Sequence, residues 1–280
     1  MLKQRVITAL VLLAMLLPAL FAPQSEWFMA VALILMGLAA WEWGQLNGYT
    51  KKSSWLIALD CVVLCVVAWK LGLPYSNLPM LWVLAGSAWV LLGGWLLYRG
   101  VAQWSSIHRW IRIIGGVVLL ALAWLAVARA RVMGINVLLS VLVLVWGADV
   151  FAYFAGRRFG QRKLAPSISP GKSWEGVWGG MVGVLLIAAV WIYLDKAGLG
   201  ITEASLYTRL AARGWWLLVL AVLFMCAMSV VGDLVESLVK RSAGAKDSSQ
   251  LLPGHGGVLD RVDALLPTMP LAMMLMALLA

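Results

Sequence analysis

WWLLVLAVLFMCAMSVVGDLVE, residues 215–236, is the stretch on which the fold turns. From Trp215 to Val231 it holds no charge and a single hydroxyl, Ser229. The apolar side chains run on without the alternation of a half-buried strand, and the run is close to the ~20 residues that span a bilayer as a helix. Asp233 and Glu236 then follow three residues apart, with Lys240 one further turn along the same face. A membrane helix whose last turns become charged is the pattern to be explained.

The same texture extends outward over the chain. Of 280 residues 63% are hydrophobic and only 12% are charged, where a globular chain carries about a quarter, and the mean hydropathy is +0.93. Long apolar blocks argue for membrane helices and against a barrel of alternating strands. Nine blocks approach spanning length: 5–22, 27–46, 55–73, 78–98, 111–128, 133–155, 175–195, 215–236 and 264–280. The expected fold class is all-α, a polytopic integral membrane protein with about nine transmembrane helices. Residues 1–22 imitate a signal peptide, with Lys3 and Arg5 before the apolar run. No small-x-small site precedes Gln24, so they read as a retained first span. Trp residues stand near block ends, at Trp27, Trp55, Trp82, Trp110, Trp215 and Trp216, where an amphipathic ring suits the interface. No internal repeat is visible. The chain reads as one integral domain, 1–280, with N-terminal membrane helices over 1–130 and a catalytic half over 131–280.

The net charge of +10 is better explained by topology than by nucleic acid, since no basic patch interleaved with aromatics or DNA-binding motif is present. With the N-terminus in the cytoplasm and nine alternating spans, sixteen Lys and Arg fall inside and six (Lys70, Arg129, Arg131, Lys196, Arg209, Arg213) outside or at its borders. That bias places the polar loops 156–174 and 237–262 in the cytoplasm. Cys61, Cys65 and Cys226 all lie in apolar blocks and read as small helix residues.

Residues 237–263, SLVKRSAGAKDSSQLLPGHGGVLDRVD, carry most of the chemistry-bearing side chains. Topology alone needs no Asp, His or paired Gly. Asp233 and Glu236 end one helix, and Asp260 and Asp263 would share a face if the last helix has begun there. Carboxylates on two helix ends at a membrane border suit a hard divalent cation such as Mg²⁺. The turn around His255, Gly256 and Gly257 offers backbone N–H groups to phosphate, and Lys240, Arg241, Lys246 and Arg261 offset polyphosphate charge.

A second cluster precedes it. Asp149 is an acid inside an apolar block. The loop 163–176 carries Lys172 and Ser173, candidates for substrate binding. Gly171-Lys172-Ser173 is not a P-loop, because Pro166 stands where that motif's first glycine belongs. Ser173 and Glu175 also read as a helix start, and both readings hold together. His108 reads as a solvated loop residue. Glu42 and Asp60 read as polar contacts before substrate roles.

The pattern of residues 237–263 resembles that of the phosphatidate cytidylyltransferases (CDP-diacylglycerol synthases), with no departure from it. Asp149…Tyr153…Gly156…Phe159-Gly160, the loop 163–176 and Gly232-Asp233…Glu236-Ser237 are also similar to that family. The first half matches only as a hydrophobic profile. The resemblance implies that CTP and phosphatidate give CDP-diacylglycerol and diphosphate with Mg²⁺ in a bacterial cytoplasmic (inner) membrane. It implies Asp233, Asp260 and Asp263 as metal ligands, a second monovalent ion such as K⁺ being associated with such sites. A homodimer stays open. Transfer to a phosphate monoester needs no strong general base, because its second pKa is roughly 6–7. On this reading Asp233, Asp260, Lys240 and Arg261 are catalytic, while Lys172, Ser173, Arg241, Lys246, His255, Gly256 and Gly257 bind substrate. Rival readings are a CTP-dependent polyprenol or phytol kinase, which transfers the γ-phosphate, and a membrane transporter. The missing repeat symmetry speaks against the latter.

Overall fold

In the computed structural model, which describes residues 2–198 and 203–279, the chain is a helical membrane bundle. The helices are α1 (Leu2–Phe21), α2 (Ser25–Leu46), α3 (Lys51–Lys70), α4 (Pro79–Arg99), α5 (Val101–Trp104), α6 (Arg109–Met133), α7 (Ile135–Phe159), α8 (Trp174–Lys196), α9 (Leu206–Arg213), α10 (Trp215–Ser242), α11 (Leu259–Val262) and α12 (Leu265–Leu279). Among the described residues, eight helical segments are long and apolar enough to cross a membrane; the last of these, Leu259–Leu279, joins α11 and α12. The remaining expected span is α1, whose apolar part among the described residues is Val6–Phe21. The protein is therefore an all-α polytopic membrane protein. The block expected at 111–128 extends to a 25-residue helix.

The 28-residue α10 is the axis of the bundle, packing against α4, α5, α7, α8, α9 and α12. Around it α7 lies along α8, and α2 lies along both α3 and α6. Small residues let α7 and α8 approach closely: a Cβ on Gly180 would stand 3.0 Å from the carbonyl of Ala148. Of the expected interface tryptophans, Trp27, Trp55, Trp110, Trp215 and Trp216 are exposed, whereas Trp82 is buried in the core. The three cysteines are free and buried.

Three local features depart from the sequence expectations. Part of the loop 163–176 is an antiparallel hairpin, β1 (Lys163–Ala165) with β2 (Ser169–Ser173), too short to carry an alternation signal. Second, the last span starts ahead of the expected block at 264. Asp260 and Asp263 stand in one helical turn, with the Asp263 N–H bonded to the Leu259 carbonyl (3.0 Å), and after a turn at Asp263 and Ala264, where the Asp263 carboxylate accepts the Ala264 N–H (2.7 Å), α12 begins at Leu265. Third, the short α9 has no counterpart among the expected blocks; Ser205 caps it, and it buries Leu206, Tyr207 and Leu210.

Candidate active site

The site gathers where α10 ends, flanked by the β1–β2 hairpin, the 243–258 loop and α11. Helical spacing stacks Asp233, Glu236 and Lys240 on the last turns of α10. The Lys240 ammonium pairs with Glu236 below it and donates to Oδ1 of Asp260 across from it (2.6 Å). All three are largely buried, so the cation links two acids where water screens little.

Asp260 organises the loop in front of it. Its Oδ2 accepts from the Ser248 N–H (2.9 Å) and the Gly257 N–H (2.7 Å), and the Ser248 hydroxyl stands 3.0 Å from both this oxygen and Glu42 Oε2, with one proton to give to either. The Gly257 amide, expected to meet phosphate, is thus spent on Asp260, and the next two amides are spent on Glu42. Glycine at 257 is a matter of space, since a Cβ there would run into the Ser248 hydroxyl and the Glu42 carboxylate.

Glu42 is the residue that sequence reasoning undervalued. It lies in α2, fully buried, and its carboxylate faces four donor groups of the loop, one of which, the Ser248 hydroxyl, it shares with Asp260. The donors are the hydroxyls of Ser248 (3.0 Å) and Ser249 (2.5 Å) and the amides of Val258 (2.9 Å) and Leu259 (2.6 Å). Its only signal in the sequence is an acid inside an apolar block, which Asp60 also offers.

The hairpin supplies the second cation. Lys172 on β2 pairs with Oδ2 of Asp233 at 2.5 Å, while the Ser237 hydroxyl donates to Oδ1 (3.2 Å). The strand is anchored by the first turn of α8. Ser173 caps that helix by accepting the Gly176 N–H (3.2 Å), and the Glu175 carboxylate accepts the amides of Gln161 and Arg162. Arg241 ties the hairpin turn to α10 by donating to the carbonyls of Ile168 (3.3 Å) and Ala245 (3.1 Å). Ser173 and Arg241 therefore position the site in this structure.

Asp149 on α7 is within electrostatic reach of Lys172, Asp233 and Arg261, and Asp263 within that of Asp233, Lys172 and Lys240. Arg261 donates to the His255 carbonyl (2.7 Å), and the buried His255 Nδ1 finds no hydrogen-bond partner. Gly256 adopts φ +82°, a left-handed turn next to the Asp260 carboxylate. Lys246 stands apart, in a surface depression with Trp41, Gln45 and Lys51.

Among the described residues, no three Asp, Glu, His or Cys side chains form a ready-made metal cage. Asp233, Asp260 and Asp263 are thus not assembled as a three-carboxylate site, and Mg²⁺ there would take one or two of them and complete its shell with phosphate oxygens and water. Five carboxyls (Asp149, Asp233, Glu236, Asp260, Asp263) gather with Lys172, Lys240 and Arg261, and this donor set has the chemistry to receive a further cation.

Fold and site together define a polytopic membrane protein with acids and cations gathered at the charged end of a membrane helix. A model of the cytidylyltransferase family matches residues 3–279. Phosphatidate cytidylyltransferase of Pseudomonas aeruginosa is 40% identical over 281 residues, covering 96% of this chain and 95% of the relative. The enzyme of that name from Haemophilus influenzae is 36% identical over 288 residues, covering 96% of each chain. The chain belongs to the cytidylyltransferase family. It is a nucleotidyltransferase, and neither a lipid kinase nor a transporter is favoured.

Proposed function

We propose that the protein transfers the cytidylyl group of CTP to phosphatidate, giving CDP-diacylglycerol and diphosphate. The observation that carries this is the pair of ammonium–carboxylate contacts, Lys172 on Asp233 and Lys240 on Asp260, at the border of the membrane. Such contacts hold cations ready to be shared with incoming phosphates. The names of the full-length relatives support the choice of substrates.

In this reading a phosphate oxygen of the lipid attacks the α-phosphorus of CTP in line. The bond from that phosphorus to the bridging oxygen breaks, and diphosphate leaves with the electron pair. The burden on the protein is positioning and charge neutralisation. Lys172 and Lys240 turn from their acids, and Arg261 from the His255 carbonyl, toward phosphate oxygens as substrate enters. Arg241 keeps the hairpin, and so Lys172, in place. Lys246 meets CTP at the surface, while His255, Gly256 and Gly257 shape the turn that keeps Asp260 aimed inward. One or two of Asp233, Asp260 and Asp263 would hold Mg²⁺, and a monovalent ion such as K⁺ would be a second ion of the site. Bound there, Mg²⁺ supplies charge stabilisation to the α-phosphate and the leaving diphosphate. We place the site on the cytoplasmic face of a bacterial inner membrane, which the charge bias and the bacterial relatives support.

The decisive assay incubates the purified protein with labelled CTP, phosphatidate and Mg²⁺. Label from the α-position appears in the lipid, and label from the γ-position does not; the reverse would mean a kinase. Asp260→Asn, assayed at saturating Mg²⁺, loses at least a hundredfold in turnover while still inserting in the membrane. Near-normal turnover in that variant would remove Asp260 from the machinery.

A further inference from the structure

Among the described residues, five of the seven buried polar side-chain atoms that lack a hydrogen-bond partner belong to residues lining one cavity: Trp89 Nε1, Trp104 Nε1, Arg112 Nε and both carboxylate oxygens of Glu236. Glu236 still has the Lys240 ion pair; the other three are bare donors. Buried donors without acceptors are uncommon, and several around one space call for an explanation.

The cavity, about 400 Å³, lies within the roughly 300–1,000 Å³ usual for a ligand. Its lining is otherwise apolar, from α4, α5, α6, α10 and the α11–α12 segment. Helices α4 and α6 both pack on α12 but scarcely on each other, which leaves a sideways gap. Exposed Leu92 and Ile111 stand at that gap, and buried Trp89, Trp104 and Leu259 form the interior. Trp95, Leu96, Trp104 and Ile107 also line an adjoining depression with Arg99, Gln103 and Ser106. The space thus runs from a polar mouth into an apolar interior open toward the bilayer.

We infer that this groove holds one acyl chain of the lipid acceptor, with its ester carbonyl accepting from Trp104, Trp89 or Arg112. The groove fits that occupant on three counts. It opens sideways, where a lipid and not a nucleotide arrives. It offers donors without acceptors, and an ester carbonyl is an acceptor without a donor. It shares a wall with the site, because Gly232 and Glu236 line it and belong to the same turns of α10 as Asp233 and Lys240. This inference rests on the acceptor being phosphatidate. It adds the residues that set chain length, above all Gly115, which lines the groove with nothing within 4 Å of where a Cβ would stand.

The test compares kcat/KM for dipalmitoyl and dihexanoyl phosphatidate with α-labelled CTP. In Gly115→Leu the long-to-short ratio falls at least tenfold; a ratio equal to that of the parent overturns the groove as the acyl site. A second comparison uses ester-linked and ether-linked phosphatidate of equal length. The parent prefers the ester by about threefold to tenfold, the worth of one buried hydrogen bond. Trp104→Phe reduces that preference, and an undiminished preference in that variant, with Arg112→Met and Trp89→Phe behaving likewise, overturns the carbonyl contact. If the parent labels no phosphatidate of any length, the assignment of substrate itself has failed, a result separate from either ratio.

Discussion

Glu42 carries the most demanding arrangement of any single residue here, since four donors from a distant loop converge on one buried carboxylate. Two are main-chain amides, which have no other acceptor and lie away from water. In Glu42→Ala those two amides are left bare, and each unsatisfied buried group costs about 1–3 kcal/mol. Unfolding of the purified variant in detergent should therefore show a loss of roughly 2–6 kcal/mol, with faster proteolysis within residues 245–257. Stability and cleavage like those of the parent would show that the loop does not depend on the clamp. The contrast with Asp60 is instructive. Both acids interrupt an apolar block, yet only Glu42 is buried against donors. That difference is made by the fold, and sequence position alone could not express it.

Among the elements, α10 was the most legible, because its apolar run and its stacked Asp233, Glu236 and Lys240 follow from helix geometry. The hairpin was not legible. Its strands have three and five residues, include Pro170 and Gly171, and exist mainly to deliver Lys172 to Asp233. Spacing identified Lys172 and Ser173 as candidates and marked Ser173 as a helix start, which it is, but gave no sign that Lys172 would pair with an acid in another helix. Likewise the amides at 257–259 looked free, because the acids that take them lie elsewhere in the chain. The α7–α8 pair invites a test at this scale. Gly180→Leu forces a side chain against the Ala148 carbonyl, and overpacking of this kind costs about 1–3 kcal/mol. Asp149 rides on α7 and Lys172 immediately precedes α8, so turnover should drop at least tenfold. Val182→Leu, on the exposed side of α8, serves as the comparison and keeps parental turnover. Equal turnover in both would separate the site from α7–α8 packing.

For the whole molecule, the charge bias makes a prediction about sidedness. Because Cys61, Cys65 and Cys226 are buried, a single added thiol reports alone. Gln250→Cys should react with a membrane-impermeant thiol reagent in inside-out vesicles and stay unlabelled in right-side-out ones, and Lys196→Cys should do the opposite. The reverse result would turn the protein over in its membrane. The side chains of Lys3 and Arg5, which contribute to that bias, lie outside the described residues. One feature of the whole also governs how the protein is made. Glu42 and Ser248 are separated by 206 positions, so the ribosome has produced most of the chain before the acid meets its partner. Through that interval α2 holds a carboxylate that its surroundings cannot yet receive. Closing the active loop and giving the Glu42 carboxylate its partners are thus a single event, which waits for residues 248–259 although α3 and α6 already flank α2. A chain that stops before them leaves Glu42 buried and unspoken for.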